Sequence, residues 1–454
     1  MEKAAGVRGR YRQLITIAVP AILENLVSVL ITSIDAKMIA PLGKISVSAV
    51  SLTTQPKLFF LSFFYAMGTT VSIFVSQALG RKNREEANGY FHTVLRMCLI
   101  ISAIFMAGLA FFAEPVMRLF SRQQETMELS VSFFRIVMGM MIFQNVSIVL
   151  NAALRGVGKT KVTLLCSLAM GAVDLAVNYL LIEGHWGFPR LGVTGDAIGT
   201  VAGTAASCAV SFLYLTRHSD FLSLKGFWKK QRRQPEMRTN IRGKLGNVLF
   251  ENIFTRIGFL VSSVIVSGLP ADETAVYFVA MILLNYTFSF GDGLQSALVS
   301  CTGQSVGAGA RREFRGMVRA GRAMGLGMAL VLSTVYILGG RWFMGQYFSD
   351  ETSLARGVLY SYAVASLTVL QILRMVNIGV MRGTGEVKAP RVMATICVLI
   401  INPAAAFLLT EVLGYGVWGI WAASILAQGA WYLMSEVKAR AGIGKITIPR
   451  TEEK

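Results

Sequence analysis

Apolar stretches long enough to cross a lipid bilayer recur twelve times along this 454-residue chain. A hydrocarbon core about 30 Å thick needs roughly 20 apolar residues per helix. Inside it each backbone N–H and C=O must be satisfied within the segment, so such stretches become helices. We read spans at 14–40, 47–78, 90–113, 128–152, 160–184 and 192–216. A basic linker follows at 217–243, and then spans at 244–268, 274–306, 314–338, 353–379, 388–411 and 416–436. The second and eighth are longer than a bilayer requires, which predicts tilt or protrusion.

Charge agrees with this reading. Only 15% of the residues are charged, against about 25% in a soluble domain. A net charge of +19 raises nucleic acid as a partner, but the basic residues lie in short clusters between apolar segments, as topology signals do. One side collects Lys3, Arg8, Arg10 and Arg12; Arg81, Lys82 and Arg84; Arg155, Lys159 and Lys161; the linker; Arg311, Arg312, Arg315, Arg319 and Arg322; and Arg382, Lys388 and Arg391. The other side carries few, among them Lys44, Arg118, Arg122, Arg190 and Arg341. This bias places both termini and the linker in the cytoplasm and makes the number of spans even, in a multi-pass protein of the plasma membrane. The basic N-terminus runs into a full-length span, which argues against a cleaved signal peptide.

Metal and redox chemistry have little to stand on. Cys98, Cys166, Cys208, Cys301 and Cys397 all fall within apolar segments and lack metal-ligand spacing. His92, His185 and His218 are scattered. No clustered His, Cys or paired Asp motif indicates an enzyme. Gly158-Lys159-Thr160 looks like the end of a phosphate-binding loop, but the glycine needed five residues before Gly158 is Ala153, and no strand precedes it. No nucleotide site is visible, and no cofactor is expected.

The two halves repeat at an offset of 227 residues. Glu24-Asn25 matches Glu251-Asn252, Gln77 to Gly80 matches Gln304 to Gly307, Gln144 matches Gln371, and Arg155-Gly-Val-Gly158 matches Arg382-Gly-Thr-Gly385. Near the end the offset slips by about three, so that Gly192-Val-Thr-Gly195 matches Gly416-Val-Trp-Gly419. Six spans per half is even, so the repeats are parallel. The expected fold is all-α: twelve transmembrane helices in two homologous six-helix lobes, 1–216 and 244–454, around a central cavity open to one side at a time. A receptor would not need such duplicated lobes.

These motifs resemble the multidrug and toxic compound extrusion (MATE) family. The first span, AVPAILENLVSVLITSIDAKMIAPLG, is similar to that family's opening helix, with its proline, its acidic residue and a following Leu-Gly. RGVGKTK and RGTGEVKAP resemble its Arg-Gly-x-Gly element after the fourth and tenth spans, and PRLGVTGDAIGT its Gly-x-x-Gly opening of the sixth. The resemblance covers nearly the whole chain and rests on the order and duplication of the motifs.

Ionisable residues inside a span cost a few kcal/mol on insertion scales and mark candidate sites. Asp35 stands where the family places its cation-coupling acid; the plain alternative is an interfacial charge, with Lys37 nearby. Asp174 and Asn178, one helical turn apart, share a face of the fifth span, in the reverse of the family's usual Asn-then-acid order. Asp35, Asp174 and Asn178 form the expected ion-coupling set, for H+ or Na+. Asp196 is placed at a span boundary within reach of water. Glu24, Glu251, Asp292, Gln144 and Gln371 are cavity candidates, with Asp292 read as a buried acid. Gln371 stands where related transporters often carry an acid, which argues against a carboxylate mechanism on the tenth helix. Lys57, Arg135, Arg256 and Arg374 also lie in spans, as partners for the acids or as ligands for an anionic cargo. Arg155 and Arg382 are expected to close helix ends on carbonyls, with Gly156 and Gly383 at the caps. The 21 Met and 27 Phe suit either ordinary packing or an adaptable cargo cavity.

The resulting expectation is a monomeric cation-coupled antiporter exporting organic, chiefly cationic, compounds, with no obligatory protein or nucleic-acid partner. The runner-up is a flippase for lipids or lipid-linked saccharides with the same two-lobe architecture.

Overall fold

The computed structural model describes residues 6–120, 124–218, 221–227 and 235–445. Every regular element among them is helical: α1 (Val7–Ile39), α2 (Lys44–Gly80), α3 (Arg84–Phe120), α4 (Gln124–Gly139), α5 (Met141–Gly156), α6 (Thr160–Ile182), α7 (Val193–Arg217), α8 (Pro235–Ser267), α9 (Ala271–Gly307), α10 (Arg311–Met344), α11 (Glu351–Gly383), α12 (Lys388–Ala394), α13 (Asn402–Phe407) and α14 (Gly416–Lys445). Ten helices are long and apolar enough to cross a membrane. The stretch Lys388–Val412 counts as one of them, because π-helical turns at Thr395–Ile401 and Leu408–Val412 join α12 to α13 and extend it. The α4–α5 pair, bent by 50°, supplies an eleventh span, so the fourth span, read as continuous, is broken at Met140. α14, with 30 residues, is not among those ten but is long enough to supply the twelfth. Large apolar side chains such as Phe111, Leu119, Leu338 and Trp342 lie exposed, as lipid-facing residues should.

α1 and α8 begin well before their apolar runs. Arg8, Arg10 and Arg12 are good helix formers and extend α1 past the hydrophobic segment. The last part of the expected linker, 235–243, is likewise the first turns of α8; residues 219–220 and 228–234 lie outside the described residues. The intervening piece Phe221–Phe227 is strapped to α3. Asn88 donates to the Phe221 carbonyl (3.0 Å) and accepts from the Ser223 amide (2.8 Å), and His92 Nε2 donates to the Ser223 carbonyl (2.7 Å). Arg96 bonds the Phe227 carbonyl and lies 5.3 Å from its ring.

The chain divides into two compact units, Leu23–Leu245 and Met1–Ile22 with Gly246–Lys454. Both divisions fall inside helices, in α1 just after Pro20, whose ring removes a helical N–H, and in α8. In the first unit the core lies between α2, α3 and α5, around Phe64, Phe91 and Leu150. In the second it lies between α9, α10, α11 and α14, around Tyr336, Tyr360 and Trp421. There Leu14, Ile17 and Ala18 of α1 pack on Leu294, Ala297 and Leu298 of α9.

The Arg-Gly-x-Gly elements end α5 and α11 in the same way. Gly158 (φ 81°) and Gly385 (φ 85°) take the left-handed cap conformation, which glycine adopts without strain. The next amides, of Lys159 and Glu386, close on the carbonyls of Leu154 and Met381, both at 2.9 Å. The cap glycines are therefore the second of each motif. Gly156 and Gly383 instead permit close helix contact: a Cβ at Gly156 would stand 2.9 Å from the Ser72 carbonyl of α2, and one at Gly383 would overlap Thr302 of α9.

Candidate functional site

The loop between α6 and α7 folds the chain back on itself. Gly184, Gly187 and Gly192 all have positive φ. The amides of Leu191 and Gly192 bond the carbonyls of Leu181 and Ile182 at 2.8 and 3.2 Å. The first turn of α7 therefore lies beside the last turns of α6, where membrane helices approach most closely if their facing residues are small. Gly195, Gly199 and Gly203 supply that face. A Cβ at Gly195 would stand 2.7 Å from the Leu181 carbonyl, one at Gly199 would overlap the Asn178 side chain, and one at Gly203 would stand 2.8 Å from Asp174 Cβ and the Met170 carbonyl.

This close pairing seats a polar cluster within the first unit. Asn178 Nδ2 lies 3.2 Å from Asp35 Oδ1 on α1, 3.2 Å from Asp174 Oδ1 on its own helix and 3.3 Å from Asp196 Oδ1 on α7. One NH2 group thus faces three carboxyl groups. Asn178 is fully buried, Asp174 and Asp196 nearly so, and Asp35 half-buried. Lys57 of α2, half-buried, feels all three acids electrostatically, Asp196 most strongly, and makes no ion pair within 4 Å among the described residues. Asn178 Oδ1 is buried without a hydrogen-bond partner among the described residues.

The structure thus brings Asp35, Asp174 and Asn178 into contact and adds Asp196, which sequence reasoning placed at a wet span boundary. It is 3% exposed because the α6–α7 turn tucks the start of α7 against α6. Its signal was the glycine spacing after Gly192. Lys57 was noted as a charge in a span; its partners depend on how α2 faces the cluster.

The other candidates lie elsewhere. Glu24 accepts from Arg155 at 2.7 Å and from Thr163 at 2.6 Å, and Glu251 accepts from Arg382 at 3.0 Å. The expected carbonyl-capping role of Arg155 and Arg382 is thus replaced by two symmetry-matched ion pairs. Asp292, expected to be buried, lies on an exposed face of α9; Gly291 and Gly293 turn the neighbouring faces inward, against Met375 and Ile22. Gln371 is buried with Nε2 unbonded among the described residues, and Gln144 is half-buried. Arg374 is buried with its guanidinium 3.9 Å from the Trp431 ring centroid, a cation–π contact. Arg135 is exposed and Arg256 partly so. Among the described residues no group of three or more His, Cys, Asp or Glu is arranged to hold a metal ion.

Comparison with known proteins bears on the whole architecture. A family model described as MatE matches residues 20–180 and again 248–408, once in each half. The probable multidrug resistance protein NorM of Rhizobium meliloti is 25% identical over 431 residues, 92% of this chain and 90% of that protein. The probable multidrug resistance protein YoeA of Bacillus subtilis is 22% identical over 385 residues, 84% of this chain and 82% of that protein. A solved outward-facing conformation of a multidrug resistance MATE family transporter of the MOP superfamily superposes with a TM-score of 0.89 at 15% identity, covering 98% of this chain and 99% of that one.

Proposed function

The chain belongs to the MatE family, and from that membership we propose that it is a proton-coupled antiporter exporting organic, chiefly cationic, compounds across the plasma membrane by alternating access. The observation that carries the proposal is the buried amide of Asn178 shared by three carboxyl groups on α1, α6 and α7. An ionised carboxyl group has no hydrogen to donate. The Asn178 amide has two hydrogens for three carboxyl groups, so one carboxyl group lacks a donor, and a proton held among them supplies it. Its release leaves like charges close together in a low-dielectric interior, where repulsion is strong. α1 carries one of these charges and α6 another, so a change in protonation favours a change in helix position.

Sodium fits the cluster less well. A sodium ion needs several oxygen ligands around one point, and among the described residues no three acidic groups are arranged to hold a metal ion. Organic cargo is supported by the relatives' names, which refer to multidrug resistance. Nothing in the comparisons favours a lipid flippase. Glu24 and Glu251, held by arginines, serve lobe structure in this reading. The lobes are 1–216 and 244–454, the linker 217–243 and both termini are cytoplasmic, and the protein acts as a monomer.

Proteoliposomes test the proposal. An imposed pH gradient should drive uptake of a fluorescent organic cation such as ethidium, an equal sodium gradient should not, and Asp35→Asn should stop it. Sodium-driven uptake without a pH gradient would overturn proton coupling.

A further inference from the structure

At the start of α10, in the second unit, lies a cleft of about 630 Å³ lined by Gly6, Arg10, Arg311, Arg312, Arg315, Gly316 and Arg319. Five arginines line it and no carboxylate does. A topology signal needs only positive charge near a membrane face, and lysine serves as well. It needs neither a concave site nor arginine alone. The four arginines of α10 recur at helical spacing and share one face, and Arg312, Arg315 and Arg319 are exposed without an ion pair among the described residues. Arg322, one turn further, differs: it is tied to Glu436 at 2.9 Å and does not line the cleft.

The cleft is also shaped. A Cβ at Gly316 would stand 2.5 Å from Arg10 Cδ and 2.6 Å from its guanidinium carbon. The missing side chain at Gly316 lets the Arg10 side chain of α1 lie against α10 and complete the wall. Planar guanidinium groups with paired N–H donors match the oxygens of phosphate bidentately, as an ammonium does not. Basic pockets beside membrane helices are suited to lipid head groups.

We propose that this arginine cleft is a binding site for a phosphate-bearing anion at the basic membrane face, filled by the head group of an anionic phospholipid or by a soluble phosphate. It is separate from the coupling site and independent of the cargo.

The test uses the full-length protein in detergent, measuring Tm and, by native mass spectrometry, retained ligand. Phosphatidylglycerol, phosphatidylcholine and inorganic pyrophosphate are titrated in parallel. The expected result is a Tm rise of several degrees with phosphatidylglycerol or pyrophosphate and none with phosphatidylcholine. Response to phosphatidylglycerol alone identifies a lipid site, and response to both identifies a general phosphate site. In Arg312→Gln/Arg315→Gln/Arg319→Gln, half-saturation should need at least tenfold more ligand; the matching triple Arg→Lys variant should fall between. Lys161→Gln, in another basic cluster, should bind as wild type does. If the triple variant does not fold, Arg315→Gln alone should lose retained ligand. Equal responses in wild type and variants, or no response to either anion, would overturn the proposal.

Discussion

The carboxylate cluster of the first half has an almost apolar counterpart in the second. At the 227-residue offset Asp35 matches Ser262, Lys57 matches Leu284, Asp174 matches Ile401 and Asn178 matches Ala405; after the slip, Asp196 matches Ile420. A polar contact there is Asn402 Nδ2 to Ser262 Oγ, at 3.2 Å. The glycine face of Gly195, Gly199 and Gly203 becomes Gly419, Ala423 and Ala427. Elsewhere the halves agree: each has its Glu–Arg pair and its Arg-Gly-x-Gly cap. Even their irregularities differ in place. The fourth span breaks at Met140 where α11 runs on, and α6 is regular where Lys388–Val412 carries π-helical turns. Duplication has kept what holds each half together and confined the proposed ion chemistry to one copy.

The strongest way to break this contrast is at the acids. Asp35→Asn, Asp174→Asn and Asp196→Asn should each lower pH-driven uptake in proteoliposomes by about tenfold to a hundredfold, since a contact to a charged group is worth roughly 1.5–3 kcal/mol. Ser262→Ala should stay within about twofold, a change smaller than the neutral hydrogen bond it removes would set as an upper bound. Equal losses in both halves would refute an asymmetric site.

Next come the ion pairs, where the halves should behave alike. Glu251→Gln should destabilise the fold by about 3 kcal/mol by leaving Arg382 buried without its partner. Glu24→Gln should cost somewhat less, because Arg155 is 25% exposed and water screens it. Thermal unfolding in detergent reads both.

A smaller difference is expected at the matched small residues. Gly199→Ala should cost about 1–3 kcal/mol through overpacking against Asn178, with loss of transport. Ala423→Gly should cost about 0.5–1 kcal/mol through backbone freedom and leave transport intact. Smallest of all, Asn402→Ala should lower stability by about 1 kcal/mol with uptake unchanged.

Much of this was legible in the sequence, because bilayer thickness sets span length and duplication repeats every signal. Asp174 and Asn178 could be paired from helical spacing alone, and Asp35 was added through its place after Pro20. Asp196 was not legible: its depth depends on a loop that folds α7 back beside α6, and a distance along the chain cannot show that. The partners of Arg155 and Arg382 were hidden for the same reason, since Glu24 and Glu251 lie 131 residues away. Gly139 ends α4 beside the break at Met140 and Pro403 follows the first π-helical turns, but membrane helices carry glycine and proline more often than soluble ones, so neither residue by itself announces a break.

The glycine face of α7 also shapes how this protein can vary. Its three positions hold α7 against α6 by what they lack, Gly195 at Leu181, Gly199 at Asn178 and Gly203 at Asp174, so any side chain there is read as an intrusion. A saturation screen for lost efflux would return Gly195, Gly199 and Gly203 alongside the aspartates, though none of the three can bind an ion. A size series separates the two classes: at the glycines the damage should grow with side-chain volume whatever the polarity, and at the aspartates it should follow charge. Descendants of this chain are then free to change the cargo-facing surfaces long before they can alter the spacing of these two helices.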